Sequence, residues 1–225
     1  MKLLYDGKTK AVYELDKDKC VLEFKDDVTG EDGHIDPGSN YVLGKLEGKG
    51  KSSLKMSQHF FKLLQEQGVP SHYIDSDLAK NNMVVWKAQT FGHGLEVVCR
   101  FKAYGSFLRR YARYAQEFQP LNALVEVTLK DDERGDPLIN DESLIQLGLL
   151  TDGELETIKA LARKVAVIVK NDLALKGLEL VDIKFEFGRA GQEIVVIDDI
   201  SGDNMRVFKD GVQVPPRELS DLVAE

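Results

Sequence analysis

The sequence predicts an α+β fold divided into two lobes, residues 1–88 and 89–225. The first part of the chain consists of short strand-like runs separated by glycine turns, whereas the second part mixes strands with helices. One helix in the second part is clearly marked, because a capping box precedes it and apolar residues recur along it every three or four positions. The change from the first pattern to the second, near residue 88, is the basis for the boundary.

Composition and charge exclude several classes of protein. The 225 residues are 43% hydrophobic and 30% charged, and 30 basic against 38 acidic side chains give a formal net charge of −8. An overall basic surface for nucleic acid is therefore absent, although a local basic site for an anionic ligand stays open. No apolar run approaches the ~18 residues of a membrane helix, and the start of the chain lacks the apolar region of a signal peptide. Cys20 and Cys99 lie in apolar runs without metal-binding spacing, which favours reduced thiols in the cytoplasm.

The first lobe is expected to contain strands and one amphipathic helix. Residues 25–50 are polar and rich in glycine, which is typical of a functional or mobile loop. Ser52 is expected to cap a helix that continues to about Gln67 and is stopped by Gly68. The expected strands cover 3–5, 11–15, 20–24 and 83–86.

The second lobe contains the most distinct helix of the chain. Thr151 and Glu154 form a capping box, and Gly177 ends the helix. The other expected elements are strands at 95–100, 125–130, 178–187 and 193–200 and a basic helix at 104–114.

The longest strand expected in the second lobe has one apolar face and one charged face. Alternate residues share a face, so Asp182, Lys184 and Glu186 lie together, about 7 Å apart along the strand. A solvated outer face would give the same pattern. The next apolar run, however, ends in Asp198 and Asp199, and a buried strand seldom ends in two acids without a partner. A hairpin would bring one of these two acids near Glu186, and the sequence leaves open which one.

Two carboxylates beside a lysine predict a site for phosphoryl chemistry. Oxygen-only ligands of this kind suit a Mg²⁺ ion that carries substrate phosphates. The lysine would neutralise charge on a transferring phosphoryl group.

Two lysine-rich segments add candidate anion sites in the first lobe. Lys8 and Lys10 flank a turn after Gly7, where glycine lets the backbone approach a phosphate, but a plain hairpin with exposed lysines has the same pattern. Residues 48–53 end like a P-loop, but the first glycine of that motif is displaced by one residue. A basic loop that reaches an anion, or a simple helix cap, remains the alternative there.

A third candidate anion site involves arginines of the second lobe. Arg100 ends a strand and Ser106 begins a helix, an arrangement that supplies a guanidinium, a hydroxyl and helix amides. Arg206 follows the acid pair and could converge with them on one phosphate. A basic helix face that balances an acidic protein is the alternative.

Taken in order, these segments resemble the SAICAR synthetases (phosphoribosylaminoimidazole-succinocarboxamide synthases) of purine biosynthesis. Residues 180–188 contain the family signature Val-Asp-x-Lys-x-Glu-Phe-Gly in full, from Val181 to Gly188. Further segments resemble the family's Tyr-x-Gly-Lys-x-Lys, Asp-x-x-x-x-Asp-Gly, Lys-Gly and Asp-Pro-x-x-Asn, and they lie at 5–10, 27–33, 49–50 and 136–140.

The resemblance implies a two-lobed ATP-binding fold, kinase-like in its smaller lobe, and a ligase reaction. Such enzymes join the carboxylate of carboxyaminoimidazole ribotide to the amine of L-aspartate, using ATP and Mg²⁺ and passing through an acyl phosphate. Both partners are small molecules, and the oligomeric state stays open, with a homodimer as one option. The resemblance implies that Lys8 and Lys10 bind the ATP phosphates and that the segment from Val85 to Lys87 contacts adenine. It implies that Glu186 and Asp198 bind the metal ion and that Lys184 lies at the centre of phosphoryl transfer. It also implies that the ribotide phosphate is bound by Arg100, Ser106 and Arg206, and that Asp32 lies near the reacting carboxylate.

The chain departs from the family pattern at three places. Tyr104 stands where the family has threonine or alanine, and an aromatic ring there is expected to narrow or reshape the sugar-phosphate pocket. Residues 201–204 read Ser-Gly-Asp-Asn instead of beginning Ser-Pro-Asp, and the C-terminus is short for the family. Three alternatives to SAICAR synthesis stay open, namely a related ATP-dependent ligase for a different carboxylate, a nucleotide-binding relative without turnover, and a small-molecule kinase that transfers the phosphoryl group to a hydroxyl.

Overall fold

Antiparallel strands and one long helix make up the first lobe. The computed structural model describes residues 1–31, 33–37 and 41–224. Within these, the first-lobe elements are β1 (Lys2–Asp6), β2 (Lys10–Glu14), β3 (Lys19–Phe24), β4 (Asp27–Glu31), β5 (His34–Ile35), β6 (Val42–Lys45), α1 (Lys49–Glu66), β7 (Tyr73–Asp77) and β8 (Asn82–Trp86). Five of the strands form one sheet in the order β1-β2-β3-β8-β7, and β5-β4-β6 form a small separate sheet.

A larger antiparallel sheet forms the second lobe. Its strands are β9 (Gln89–Thr90), β10 (Leu95–Lys102), β11 (Pro120–Leu129), β12 (Glu179–Ala190), β13 (Glu193–Ile197), β14 (Met205–Lys209) and β15 (Val212–Gln213). They run in the order β11-β10-β12-β14-β15, and β9 and β13 also pair with β12. The helices of this part are α2 (Ser106–Tyr111), α3 (Asp141–Gln146), α4 (Asp152–Leu175) and α5 (Pro216–Val223), and a 3-10 turn covers Asp132–Arg134. The predicted α+β class is confirmed.

Helix α4 covers one face of the larger sheet, as its apolar periodicity predicts. The Thr151 side chain accepts a hydrogen bond from the Glu154 N–H, and the Glu154 carboxylate accepts one from the Thr151 N–H, so the capping box is present. The inward side chains of α4 pack with those of β10 and β12 in a hydrophobic core that continues into the first lobe. This core includes Leu155, Ile158, Ala162, Val165, Val169 and Leu173 of α4.

The first helix begins three residues earlier than Ser52, the cap that the sequence predicts. Its cap is Gly48, with φ of 79°, and the Asp26 carboxylate accepts hydrogen bonds from the backbone N–H groups of Gly48 and Gly50. An acid 22 residues away in sequence therefore satisfies the free amides of the helix. Gly50 is also required by space, because a Cβ there would lie 2.8 Å from the carbonyl oxygens of Phe24 and Lys25.

Two other elements differ from the sequence prediction. Residues 25–50 include β4, β5, β6 and the first two residues of α1, so the described part of this segment is not a plain loop. Helix α2 is limited to Ser106–Tyr111, because Gly105 before it has φ of 54° and ψ of −127°, outside the helical region.

The strands of the five-stranded sheet lie within residues 2–86 and those of the larger sheet within 89–213. We keep the division at residue 88 as a proposal.

No helix in the described ranges is both long and apolar enough to cross a membrane.

An ion pair connects the start of α4 to the end of β12. Arg189 Nε donates to Glu154 Oε1 at 2.5 Å, and the Arg189 guanidinium lies 4.2 Å from the ring centroid of Phe91. The hydrogen bond from Arg189 is the main reason that the pKa of Glu154 is lowered to about 2. A carboxyl whose pKa is lower in the folded state stabilises the fold above its unfolded-state pKa of about 4.3 and loses this contribution as the pH falls towards its folded-state pKa.

Glu154→Gln is expected to lower the free energy of unfolding by about 0.5–1 kcal/mol near neutral pH, since solvent screens the pair. The deficit should shrink between about pH 5 and pH 2, because protonation removes the same contribution from the wild type. Urea unfolding at several pH values measures it. Glu156→Gln, an exposed acid on the same helix, is the control. A deficit that does not change with pH would contradict the assignment.

Candidate active site

Two joined cavities lie between the two large sheets. The larger has a volume of about 740 Å³ and the smaller about 290 Å³. Among the described residues, six line both cavities, which shows that the cavities open into one another. These shared residues are Pro37, Glu96, Asp132, Asp136, Lys184 and Asn204.

The larger cavity has an apolar wall and a charged floor. Leu22 and Val85 from the five-stranded sheet contribute to the wall, and Trp86, 46% exposed, lies beside them. Lys8 lines the cavity and pairs with Asp132 at 2.8 Å, while Lys87 pairs with Glu14 at 2.8 Å. A cavity with an apolar wall and a few charged groups beside it is typical of a nucleotide or cofactor site.

The charged floor comes from the central strand of the larger sheet. In β12, Asp182, Lys184 and Glu186 face the cleft, and the apolar side chains between them face the core, as the alternating pattern predicts. The alternative of a solvated outer face is wrong, because Asp182 is 3% exposed and Glu186 is 7% exposed. The antiparallel register places Glu96 of β10 opposite Glu186 and Arg100 of β10 opposite Asp182.

Lys184 lies at the junction of the two cavities. Its Nζ donates to Glu96 Oε1 at 2.6 Å, and its backbone N–H donates to the Asn204 carbonyl oxygen at 2.8 Å. Burial opposes its charge, but the carboxylates of Glu96 and Glu186 raise the pKa of Lys184 above its ordinary value. Lys184 is therefore a fixed positive charge on the floor of the cleft.

Buried Glu186 and half-buried Asp198 form a pair of carboxylates next to Lys184. Burial and the charge of Asp198 raise the pKa of Glu186, whose Oε1 accepts a hydrogen bond from Lys130 at 2.6 Å. Burial opposes ionisation of Asp198 as well, but Lys10, Lys130 and Lys184 hold its pKa below the usual range. Lys10 Nζ lies 3.0 Å from Asp198 Oδ1. Asp198 lines the larger cavity together with Glu186, whereas Asp199 is fully buried behind it.

The backbone of Asp198 is held in an unusual conformation. Its φ is 66°, in the left-handed region that a non-glycine residue adopts only when its surroundings enforce it. The buried His72 ring supplies one constraint, since its Nε2–H donates to the Asp198 carbonyl oxygen at 2.9 Å. Burial lowers the pKa of His72 to about 4, so the ring is neutral near pH 7. This contact restrains the main chain of Asp198 directly after β13.

The residues of this floor fit a magnesium ion that is also bound by phosphate oxygens. Within the described ranges, no group of three or more His, Cys, Asp and Glu side chains could hold a metal ion alone. Glu186 and Asp198 provide two oxygen donors, which matches the few protein carboxylates that Mg²⁺ uses when substrate phosphates and water complete its coordination.

A buried network of charges fixes the loop that follows β13. Asp199 accepts hydrogen bonds from Lys10 and from the Ser201 hydroxyl, and the Asp203 N–H donates to Ser201 Oγ at 3.2 Å. Asp203 in turn pairs with Lys49 of α1, which is only 1% exposed. The Lys-Gly segment at 49–50 therefore has a structural role. Lys49 pairs with Asp203 of this loop, and Gly50 lies close to the carbonyl oxygens at the end of β3.

The smaller cavity brings Arg100, Ser106 and Arg206 together around Asp182. Arg100 donates to Asp182 at 2.7 Å, to Ser106 Oγ at 2.8 Å and to Glu126 at 2.7 Å. Arg206 Nη1 donates to Asp182 Oδ2 at 3.0 Å. A guanidinium has five N–H donors, so both arginines keep donors for an anion in the cavity. The convergence that the sequence left open is present in the fold.

Most of the predicted site residues line the cleft. The larger cavity is lined by Lys8, Lys10, Val85, Lys87, Lys184, Glu186 and Asp198, and the smaller by Arg100, Ser106, Lys184 and Arg206. Asp32 lies outside the described residues.

The sequence argument did not identify two charged residues of the floor. Glu96 could have been found, because it alternates with Arg100 along β10 and so shares its face. Lys130 gave no such signal, because it follows the end of β11 and approaches Glu186 only through the fold.

The position of Tyr104 differs from the expectation that it narrows the sugar-phosphate pocket. Among the described residues that line either cavity, Tyr104 is absent. Its ring packs instead on Phe118 and Phe208, at centroid distances of 5.2 Å and 5.5 Å, on the far side of Arg206.

Comparison with known proteins adds independent information. A model of the SAICAR synthetase family matches residues 3–219. A phosphoribosylaminoimidazole-succinocarboxamide synthase from Clostridium tetani is 50% identical over 227 residues, covering 100% of this chain and 100% of that protein. Another from Pyrobaculum calidifontis is 39% identical over 94% of this chain and 83% of that protein.

Solved structures agree in fold. A type-2 SAICAR synthetase in complex with ADP has a TM-score of 0.83 and 35% identity, over 93% of this chain and 86% of that one. A type-1 SAICAR synthetase from Pyrococcus horikoshii OT3 has a TM-score of 0.80 and 35% identity, over 91% of this chain and 86% of that one.

Lys49→Ala is expected to lower the free energy of unfolding by about 2–3 kcal/mol, because it leaves the half-buried Asp203 carboxylate without its cation. Urea unfolding measures the loss. Lys51→Ala, an exposed lysine one half-turn away, should change stability by less than about 0.5 kcal/mol. The double variant Lys49→Met with Asp203→Asn should recover part of the loss, because it removes both charges. A loss below about 1 kcal/mol for Lys49→Ala would show that the pair is dispensable.

Proposed function

The chain belongs to the SAICAR synthetase family, and we propose that it is the ATP-dependent ligase that joins carboxyaminoimidazole ribotide to L-aspartate in de novo purine biosynthesis. One observation carries the proposal. A cavity with lysines and a carboxylate pair opens into a second cavity with arginines, and Lys184 lies where they meet. This arrangement suits the transfer of a phosphoryl group from a nucleoside triphosphate in one cavity to a phosphorylated acceptor in the other.

In this proposal the larger cavity holds ATP. Lys8 and Lys10 bind its phosphates, and the segment from Val85 to Lys87 contacts adenine beside the apolar wall. Glu186 and Asp198 hold Mg²⁺, which when bound neutralises the phosphate oxygens and fixes their geometry. The ionised state of Asp198 supports this role, since a metal ligand must be deprotonated.

The smaller cavity holds the ribotide. Arg100, Ser106 and Arg206 bind its phosphate, and their convergence around Asp182 supports this role. The ribotide carboxylate then extends towards Lys184, and Asp32 lies near the reacting carboxylate. Guanidinium groups suit this task, because their planar donors match phosphate oxygens in pairs.

The reaction proceeds in two steps with no covalent enzyme intermediate. A carboxylate oxygen of the ribotide attacks the γ-phosphorus of ATP, the bond to the β-phosphate oxygen breaks, and ADP and an acyl phosphate result. The aspartate amine then attacks the acyl carbon, inorganic phosphate leaves, a proton is released and the amide is formed. Lys184 stabilises the negative charge on the transferring phosphoryl group, and its raised pKa keeps it charged for this purpose.

The proposal includes two properties beyond the chemistry, namely a cytoplasmic location and assembly as a homodimer. Sedimentation equilibrium of the purified chain tests the dimer directly.

An ADP-release assay tests the function. We expect ADP formation only when ATP, Mg²⁺, carboxyaminoimidazole ribotide and L-aspartate are all present, with a product mass equal to that of SAICAR. Turnover with another carboxylate–amine pair but not with this one would identify a related ligase instead. ATP binding without ADP release under any pair would identify a nucleotide-binding relative without turnover.

Lys184→Ala and Asp198→Asn are each expected to lower kcat by about 100-fold or more, because each removes a charge that stabilises the transferring phosphoryl group or its metal ion. Steady-state ADP release measures the effect, and circular dichroism checks that the fold is kept. Lys209→Ala, an exposed lysine on the neighbouring strand β14, is the control and should retain full activity. Near-normal turnover in either active-site variant would refute the assigned roles.

A further inference from the structure

A cluster of three aromatic rings lies behind the arginine pair of the smaller cavity. Tyr104, Phe118 and Phe208 contact one another, with ring centroids 5.0–5.5 Å apart. Phe208 is buried, and the other two are partly buried. The two pairs that involve Phe208 are edge-on, the geometry that aromatic rings prefer in a stable cluster.

The cluster is built at some cost in backbone conformation. Phe118 has φ of 58°, in the left-handed region that is unfavourable for a bulky side chain. Two backbone hydrogen bonds hold it there, one from the Phe118 N–H to the Ala103 carbonyl oxygen and one from the Ala103 N–H to the Gln119 carbonyl oxygen, both 2.9 Å long. The segment that carries Tyr104 and the segment that carries Phe118 are thus tied together by main-chain contacts.

Arg206 lies between this cluster and the cavity. The edges of its guanidinium are bound by carboxylates, with Nη1 donating to Asp182 and Nη2 donating to Asp36 at 3.0 Å. Its Cζ lies over the Tyr104 ring, 5.8 Å from the ring centroid. A cation at this distance from an aromatic face is attracted by the ring quadrupole, more strongly when water is excluded, and Arg206 is only 7% exposed.

Gly105 also contacts the Arg206 guanidinium. A Cβ at this position would lie 2.9 Å from the Arg206 Cζ, so the guanidinium rests directly against the backbone of Gly105. Residues 104 and 105 therefore define where the plane of the guanidinium lies, the first through its ring and the second through the lack of a side chain.

We infer that Tyr104 is a positioning residue for ribotide binding, because its ring orients the Arg206 guanidinium towards the phosphate. This inference rests on the proposed function for the identity of the ligand. Tyr104 departs from the family pattern, and the effect inferred for it on ribotide binding is the opposite of a narrowed pocket. A ring that narrows the pocket would hinder the ribotide, whereas a ring that supports Arg206 helps to bind it.

The test compares Tyr104→Phe, which keeps the ring, with Tyr104→Leu, which keeps bulk but removes the aromatic face. Tyr104→Leu should raise KM for the ribotide about 3- to 10-fold, with kcat changed less than about twofold and KM for ATP unchanged. Tyr104→Phe should stay within about twofold of the wild type in every parameter. An unchanged or lower ribotide KM in Tyr104→Leu would overturn the inference.

A double-mutant cycle distinguishes action through Arg206 from a general loss of packing. In an Arg206→Met background, Tyr104→Leu should leave kcat/KM for the ribotide within about 1.5-fold of Arg206→Met alone, because the group it orients is gone. The same 3- to 10-fold loss in both backgrounds would overturn the inference.

Calorimetric binding of ribose 5-phosphate separates a failure of this inference from a failure of the proposed function. If the ribotide gives no turnover, the proposed substrate is wrong, yet weaker ribose 5-phosphate binding by Tyr104→Leu than by Tyr104→Phe would still support the positioning role. Equal binding by the wild type and both variants would overturn it.

Discussion

Strand β12 buries charged side chains on one face and apolar side chains on the other, and the rest of the cleft follows from how those charges are neutralised. Asp182 and Glu186 are almost fully buried, and an unpaired carboxylate at such depth costs several kcal/mol. Each therefore has cations at hydrogen-bond distance, Arg100 and Arg206 at Asp182 and Lys130 at Glu186. These cations come from β10, from β14 and from the end of β11. The need for neutralisation thus favours the strand order in which both neighbours of β12 carry cations, and it leaves a floor of fixed charges between the sheets.

The same constraint connects the two lobes. Lys10 of β2 pairs with both acids at the end of β13, and Lys49 of α1 pairs with Asp203 five residues beyond the first of them. Loops between strands are ordinarily among the least stable parts of a fold. Here Lys10 and the buried Lys49, both from the first lobe, hold a loop of the second, so opening the loop would leave several charges without their partners at once. The proposed metal ligand Asp198 consequently lies on a segment that is rigid, although it belongs to no strand.

The sequence was sufficient for features that depend on neighbours along the chain. The capping box at Thr151, the charged face of β12 and the acid pair after β13 follow from period and composition alone, and so does the α+β class. It was insufficient where the partner is distant. The cap of α1 is supplied by Asp26, and Lys130 approaches Glu186 across 56 positions. The position of Tyr104 shows a further limit, since a comparison of motifs identified the residue as unusual but could not tell which side of Arg206 its ring occupies.

The choice of cation in each half of the cleft agrees with the chemistry proposed for it. Arg100 donates to Glu126, Asp182 and Ser106 and still has N–H groups to spare, because a guanidinium presents five donors in one rigid plane. Such a group can be held firmly by the protein and still bind a phosphate, which suits the site of an acceptor that must not move. Lys184 instead presents a compact point charge, which Glu96 holds at the junction of the two cavities, where the phosphoryl group passes from one oxygen to another in the proposed reaction. The two cavities therefore differ in what they do with positive charge. In the proposed reaction, one uses it to fix a substrate in place, and the other uses it to stabilise a group in transit.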